Sequence, residues 1–271
     1  MSKSNRRIMV GDDNGGMDIL NQQPHFEHLS VIRATGADAA SFLQGQLSND
    51  FVLLKPNQWQ LAAYCSPKGR MLASFWGIKL ANSPELQDIC LVLSKDIAAA
   101  TLKRLSMFVM RAKLTLSAAD DMLPELFATH GLAVWSEREV PRGVARITAP
   151  LVDLFVPQML NYESIGGVSF KKGCYPGQEV VARSQFRGAI KRRTYLVQAM
   201  LDKVSQPAIA VGQEVYGLQE DESVGVVVQT DDDQALICIQ TSSAGADLRL
   251  GAKDGVAVRM LELPYPLLED I

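Results

Sequence analysis

Lys171-Lys172-Gly173-Cys174-Tyr175-Pro176-Gly177-Gln178-Glu179 is the stretch from which the fold reads. A thiol stands between a lysine pair and a Pro-Gly turn. A helix-like run follows at once, Val180-Val181-Ala182-Arg183-Ser184-Gln185-Phe186-Arg187, and Gly188 stops it. Pro is favoured at the first helical position and Gly just past the end, so a helix is predicted from Pro176. Gln178 and Glu179 then fall in the first turn, where a carboxylate suits the positive end of the helix dipole. Cys174 lies beside two cations and a few residues from a helix N-terminus, and both features favour thiolate over thiol. The expectation is a solvent-accessible cysteine more acidic than an ordinary one. Three charge-placing and turn-forming features around one thiol outweigh the alternative of a passive loop cysteine.

The same stretch, continued to Arg183, resembles the signature of the YgfZ-like folate-binding family. That signature is a lysine, Gly-Cys, an aromatic, one free position, then Gly-Gln-Glu. The family is related to the glycine-cleavage aminomethyltransferases and is linked to iron–sulfur enzyme maintenance and tRNA modification. The resemblance covers nearly the whole chain except the middle. Gln44-Gly45-Gln46 resembles the family's Gln-Gly-Gln segment near the folate cavity; read alone, it is a polar helix C-terminus. Phe155-Val156-Pro157-Gln158-Met159-Leu160-Asn161 resembles the family's Pro-Gln motif; read alone, it is a Pro-terminated strand with Gln158 in solvent.

The resemblance implies an α+β fold: an aminomethyltransferase-like folate-binding body with a shortened middle subdomain and a small C-terminal β-barrel, its central cavity facing the cysteine loop. It implies tetrahydrofolate or a derivative as cofactor, and no stable metal. Its implied partners are folate and iron–sulfur enzymes or assembly proteins, with direct RNA contact left open. Cys174 is the implied functional thiol, with Lys172, Tyr175, Gln178 and Glu179 around it; Gln46, Gln158 and Arg183 are assigned to folate. The chain departs from its relatives in three places. The turn Ser66-Pro67-Lys68-Gly69 and Arg70 carry no acid where aminomethyltransferases supply a carboxylate. Leu29, and the neighbourhood of Arg142 and Arg146, stand where relatives present tryptophans that stack on folate. Weak folate binding follows as the expectation.

Composition narrows the classes. With 271 residues the chain is expected to form two or three subdomains. The net charge of −3 provides no global basic field for nucleic acid. Cys65, Cys90, Cys174 and Cys238 are widely spaced and suggest neither a zinc site nor a disulfide framework, which fits a reduced cytoplasm. Ile8-Met9-Val10 is too short for a signal peptide, and no segment has membrane-spanning length. Residues 1–20 read as a mobile tail.

Periodicity places the elements. Strands are predicted from Leu29 to Ala34, Ile89 to Leu93, Arg111 to Leu116 and Arg142 to Ile147. Trp59 to Tyr64 and Met71 to Ile78 form a hairpin about Ser66–Gly69. Helices are predicted from Asp38 through Leu47 and from Lys95 to Phe108, the second capped by Ser94. The body therefore spans 21–190, with a reduced middle around 117–140 in which Trp135 reads as a core or interface residue. From 191 to 271 five short apolar runs separated by turns read as strands of a small barrel: Tyr195 to Met200, Glu214 to Leu218, Val224 to Thr230, Ala235 to Gln240 and Val256 to Leu263. Lys191, Arg192 and Arg193, with Arg183 and Arg187 just before them, form either a solvated face or an anion receiver.

Three functions fit these readings: a folate-linked accessory protein for iron–sulfur enzymes acting through Cys174, a tetrahydrofolate-dependent aminomethyl- or methyltransferase, and a non-catalytic scaffold. The histidines are His25, His28 and His130, none near Cys174 in sequence, so no complete catalytic constellation is legible.

Overall fold

The computed structural model describes residues 26–81, 87–131, 139–186, 188, 190–200 and 209–268. The expected tail, Trp135 and Arg187 lie outside the described residues.

The body is one antiparallel sheet in the order β2-β3-β4-β1-β5, formed by β1 (Leu29–Gly36), β2 (Trp59–Cys65), β3 (Met71–Lys79), β4 (Gln87–Ser94) and β5 (Thr115–Ala118). The apolar run Ile89 to Leu93 is continuous because β4 is covered on both faces. Ile89, Leu91 and Leu93 face α1 (Ala39–Gln44) and α2 (Lys95–Ser106), in a core with Ile97 and Leu105. Cys90 and Val92 face α3 (Leu123–His130), in a second core with Leu126 and Phe127. Each such fully buried side chain contributes about 1.5–3 kcal/mol. Ser94 does occupy the cap position of α2, although its side chain makes no cap bond. The Lys95 amide instead donates to the His28 carbonyl at 2.9 Å.

Two predicted strands are corrected. Arg111 to Leu116 is mostly a turn, and the strand begins only at Thr115. The segment from Arg142 to Ile147 joins no ladder. Its amides are met by side chains instead: Arg146 N donates to Gln229 Oε1 at 2.8 Å and Ile147 N to Ser74 Oγ at 2.9 Å. Side-chain acceptors thus satisfy buried backbone donors that a sheet would otherwise take.

The C-terminal part is a closed barrel in the order β10-β11-β6-β9-β8-β7. Its strands are β6 (Arg192–Ala199), β7 (Glu214–Gly217), β8 (Ser223–Asp231), β9 (Gln234–Gln240), β10 (Leu248–Leu250) and β11 (Val256–Leu261). Along β9, Ala235, Ile237 and Ile239 fill the barrel, while Leu236 and Cys238 point into the core of the body. The barrel is thereby fused to the sheet. Arg193, read from sequence as part of a solvated or anion-binding cluster, is buried at this junction. It pairs with Glu163 and donates to the Leu268 carbonyl at 3.0 Å.

Candidate functional site

The segment from Phe170 to Gly177 is irregular and leads into α4 (Gln178–Phe186). Phe170 and Phe186 meet edge to face at 5.4 Å, which ties the two ends of this unit together. The helix begins two residues later than predicted. Gly177 has φ +79°, a left-handed conformation that no helix continues through, so Pro176 belongs to the turn.

Lys172 points inward. Its ammonium donates to the Leu47 carbonyl at 2.7 Å and to the Gln44 carbonyl, and lies 4.5 Å from the centre of the Tyr175 ring. These carbonyls follow the end of α1, where backbone acceptors are left over and the dipole is negative. The Gln44–Gln46 segment and the cysteine loop, more than a hundred residues apart, are therefore joined by one lysine. Burial pushes Lys172 down to about 8, opposed by Asp50 and Cys174. Tyr175 is buried, and its hydroxyl has no hydrogen-bond partner.

Cys174 is exposed. The other three thiols are buried, and burial pushes each up to about 12. Gln178 is half-buried at the start of α4, while Glu179 and Arg183 are exposed one turn apart.

Gln158 lies in a 3-10 turn, Pro157–Leu160, and is fully buried, which excludes the reading that leaves it in solvent. Its Nε2 donates to the Val181 carbonyl in α4 at 2.6 Å, and its Oε1 is without a partner. Gln46 Oε1 is likewise buried and unpartnered. Gln46, Gln158, Gln178 and Arg183 thus gather on segments that join the cysteine loop or its helix.

The Ser66–Gly69 turn forms as predicted, with Gly69 N donating to the Ser66 carbonyl at 2.8 Å. It packs directly on Gly177. Although the turn carries no acid of its own, Ser66 Oγ donates to Asp153 Oδ1 at 3.0 Å. Asp153 is exposed, with φ +63°, a left-handed conformation uncommon for a side-chain-bearing residue. It is 87 residues from Ser66, and nothing in the local sequence signals the contact.

A second polar cluster borders a small, partly open cavity of about 10 Å³ between the sheet and residues 139–146. Glu139 accepts from Trp76 Nε1 at 3.1 Å and from Gln229 Nε2 at 2.9 Å, and pairs with Arg146 Nη2 at 3.2 Å. Arg146 Nε and Nη1 are buried without partners. Ser74, Leu29 and Tyr162 also line the cavity. No residue of 171–179 lines this cavity, contrary to the expectation that it faces the cysteine loop. The loop sits on the hairpin turn, and Ser74 is five residues along from Gly69, roughly 17 Å of strand. Glu139 and Trp76 went unrecognised in the sequence because their association depends on packing across the sheet.

Among the described residues no three His, Cys, Asp or Glu side chains gather to hold a metal ion, and no helix is long and apolar enough to cross a membrane.

No protein-family model matches the chain. It is similar to the tRNA-modifying protein YgfZ of Cronobacter sakazakii, 27% identical over a 304-residue alignment covering 90% of this chain and 92% of the relative. It is also similar to the tRNA-modifying protein YgfZ of Aliivibrio fischeri, 30% identical over 219 residues, 63% of this chain and 69% of the relative. Among solved structures, the glycine cleavage system aminomethyltransferase T from Bartonella henselae matches with a TM-score of 0.59 at 13% identity, covering 90% of this chain and 85% of that one. That likeness establishes an aminomethyltransferase fold.

Proposed function

The chain belongs to the YgfZ family, and we propose that it is a folate-linked accessory protein supporting the assembly or repair of iron–sulfur enzymes, including tRNA-modifying ones, with Cys174 as its functional thiol. The observation that carries this reading is an exposed cysteine on a loop clamped from both sides, by Lys172 on the end of α1 and by Gly177 on the Ser66–Gly69 turn. A mobile thiol meets partners in many geometries; a clamped one presents a single geometry. A thiolate here can attack an electrophile, exchange with a disulfide or ligate iron. One cysteine cannot hold a cluster alone, so any cluster is shared with the client. All of this requires a reduced compartment, and the cytoplasm is the one we assign.

Folate is the implied cofactor, and the cavity at Glu139 and Arg146 suits the polar edge of a pterin. The unpartnered Arg146 donors match its acceptor oxygen, and the Glu139 carboxylate matches its amino edge. Tetrahydrofolate, when bound, supplies a one-carbon carrier. The cavity of about 10 Å³ holds one water and no ring, so residues 139–146 must move outward to admit it. That opening, and Leu29 in place of a stacking tryptophan, weaken binding. Gln46, Gln158 and Arg183, the residues that the resemblance assigns to folate, do not line this cavity; the two glutamine oxygens are buried without partners on the side of the cysteine loop.

The test is replacement of the native protein in cells by Cys174→Ser. Iron–sulfur enzyme activity and the modified nucleosides of tRNA should fall while the purified variant stays folded. Full activity of Cys174→Ser would make the protein a scaffold. Calorimetry with reduced folates should show weak binding that Arg146→Met removes.

Asp153 favours a second reading, tetrahydrofolate-dependent aminomethyl or methyl transfer, because it returns a carboxylate to the turn. Transfer activity that Asp153→Asn abolishes would establish it; no transfer by the wild type with any reduced folate excludes it.

A further inference from the structure

A groove of about 270 Å³ runs along α2, and no residue of either cluster described above lines it. Its floor is apolar, built by Leu72, Ile97, Val152 and the nearly buried ring of Tyr64. Its helix side is the exposed face Ala100, Lys103, Arg104 and Met107. Met107 is 64% exposed, and Leu154, two residues after Val152, is 45% exposed. Lys103 and Arg104 line the groove, and no carboxylate does, in a chain whose net charge is −3.

We propose that this groove receives an acidic segment of a partner protein that also presents apolar side chains, and that it sets the partner beside Cys174. The apolar floor requires a buried hydrophobic anchor. Lys103 and Arg104 on the helix side select carboxylates beside that anchor and exclude basic partners. Single-stranded nucleic acid shares the charge requirement but takes much of its affinity from stacking on exposed aromatic faces, and the Tyr64 ring is only 2% exposed.

The position follows from chain continuity. Tyr64 is followed by Cys65 and Ser66, and the Ser66 carbonyl packs against Gly177 of the cysteine loop. Val152 is succeeded by Asp153, which binds Ser66 on the turn beneath Gly177. The groove and the turn that seats the cysteine loop are therefore built from the same two chain segments. The docking itself does not depend on the proposed role of the thiol; only its consequence rests on that reading.

The experiment selects short peptides from a random displayed library on the full chain and depletes those that still bind Ala100→Trp, which fills the groove from an exposed helix position. Selected peptides should combine Asp or Glu with Leu, Ile, Met or Phe. A synthetic representative should slow amide hydrogen exchange across residues 97–107, and Lys103→Glu with Arg104→Glu should weaken it about tenfold or more. Cys174→Ser should bind it unchanged, which separates failure of this proposal from failure of the thiol reading. The proposal is overturned if no acidic sequences are enriched, or if binding ignores Ala100→Trp and the charge reversals. It is equally overturned if polyuridine RNA displaces the peptide with the same dependence, or if the groove proves to be occupied by a second copy of the chain, seen as a dimer that Ala100→Trp dissociates.

Discussion

Gly177 of the cysteine loop and Gly69 of the hairpin turn lie backbone against backbone. A methyl group on Gly177 would stand 2.4 Å from the Ser66 carbonyl oxygen and 2.6 Å from Gly69 Cα. One on Gly69 would stand 2.7 Å from Val180 Cβ. Both glycines have positive φ, +79° and +73°. The loop that carries Cys174 is therefore seated by main-chain contact, which no rotamer change can relax. Gly177→Ala should destabilise the protein by about 1–3 kcal/mol through strain and displacement, and should alter the alkylation rate of Cys174. Gly173→Ala, with open space around its Cβ position, is the control and should change stability little. Equal urea midpoints for the two variants would show that the contact does not hold the loop.

Alkylation of the folded protein at neutral pH should modify Cys174 first. Cys65, Cys90 and Cys238 are each at most 1% exposed, and burial raises their thiols to about 12. They are both inaccessible and almost wholly protonated. Site-resolved mass spectrometry across a pH series reads the outcome; comparable rates at all four sites would contradict it.

Lys172 carries a signed pH dependence. Its folded value, about 8, lies below its ordinary value of 10.5 because of burial. Below about pH 8 it is charged in both states, and the burial penalty is present in full. Between about 8 and 10.5 the unfolded chain holds a proton that the folded chain lacks, so stability rises with pH across that window. The neutral amine keeps two N–H donors, enough for the Gln44 and Leu47 carbonyls. The unfolding free energy of the wild type minus that of Lys172→Met should therefore climb between about pH 8 and 10.5. A flat or falling difference sinks this assignment.

Glu139 is 4% exposed and holds Trp76, Arg146 and Gln229 at once. Glu139→Ala leaves a buried guanidinium without its counter-charge and should cost about 3–5 kcal/mol. Gln229→Ala removes two hydrogen bonds but no charge and should cost less, about 1–3 kcal/mol. Denaturant unfolding of both variants gives the comparison, and the reverse order would mean that the barrel contact, not the ion pair, holds residues 139–146.

What sequence alone determined here is what depends on neighbours in the chain. Short apolar runs at Val224 to Thr230 and Ala235 to Gln240, separated by the turn Asp231-Asp232-Asp233, indicated barrel strands, because closely spaced strands with turn signals build a small barrel. Pro67 and Gly69 indicated the turn through their own torsions. Leu248–Leu250 escaped because three residues carry too little periodicity, and Arg142 to Ile147 misled because its residues resemble a strand while its amides bond to side chains. Tertiary structure alone decided the polar partnerships. Lys172 turned inward to α1, Arg193 sank against Glu163, Asp153 returned a carboxylate to Ser66, and Gln229 crossed from the barrel to Glu139. A local stretch sets torsions and the spacing of its apolar face, but a buried donor must accept whatever acceptor the packed chain brings within about 3 Å. That partner is chosen only after distant segments have met.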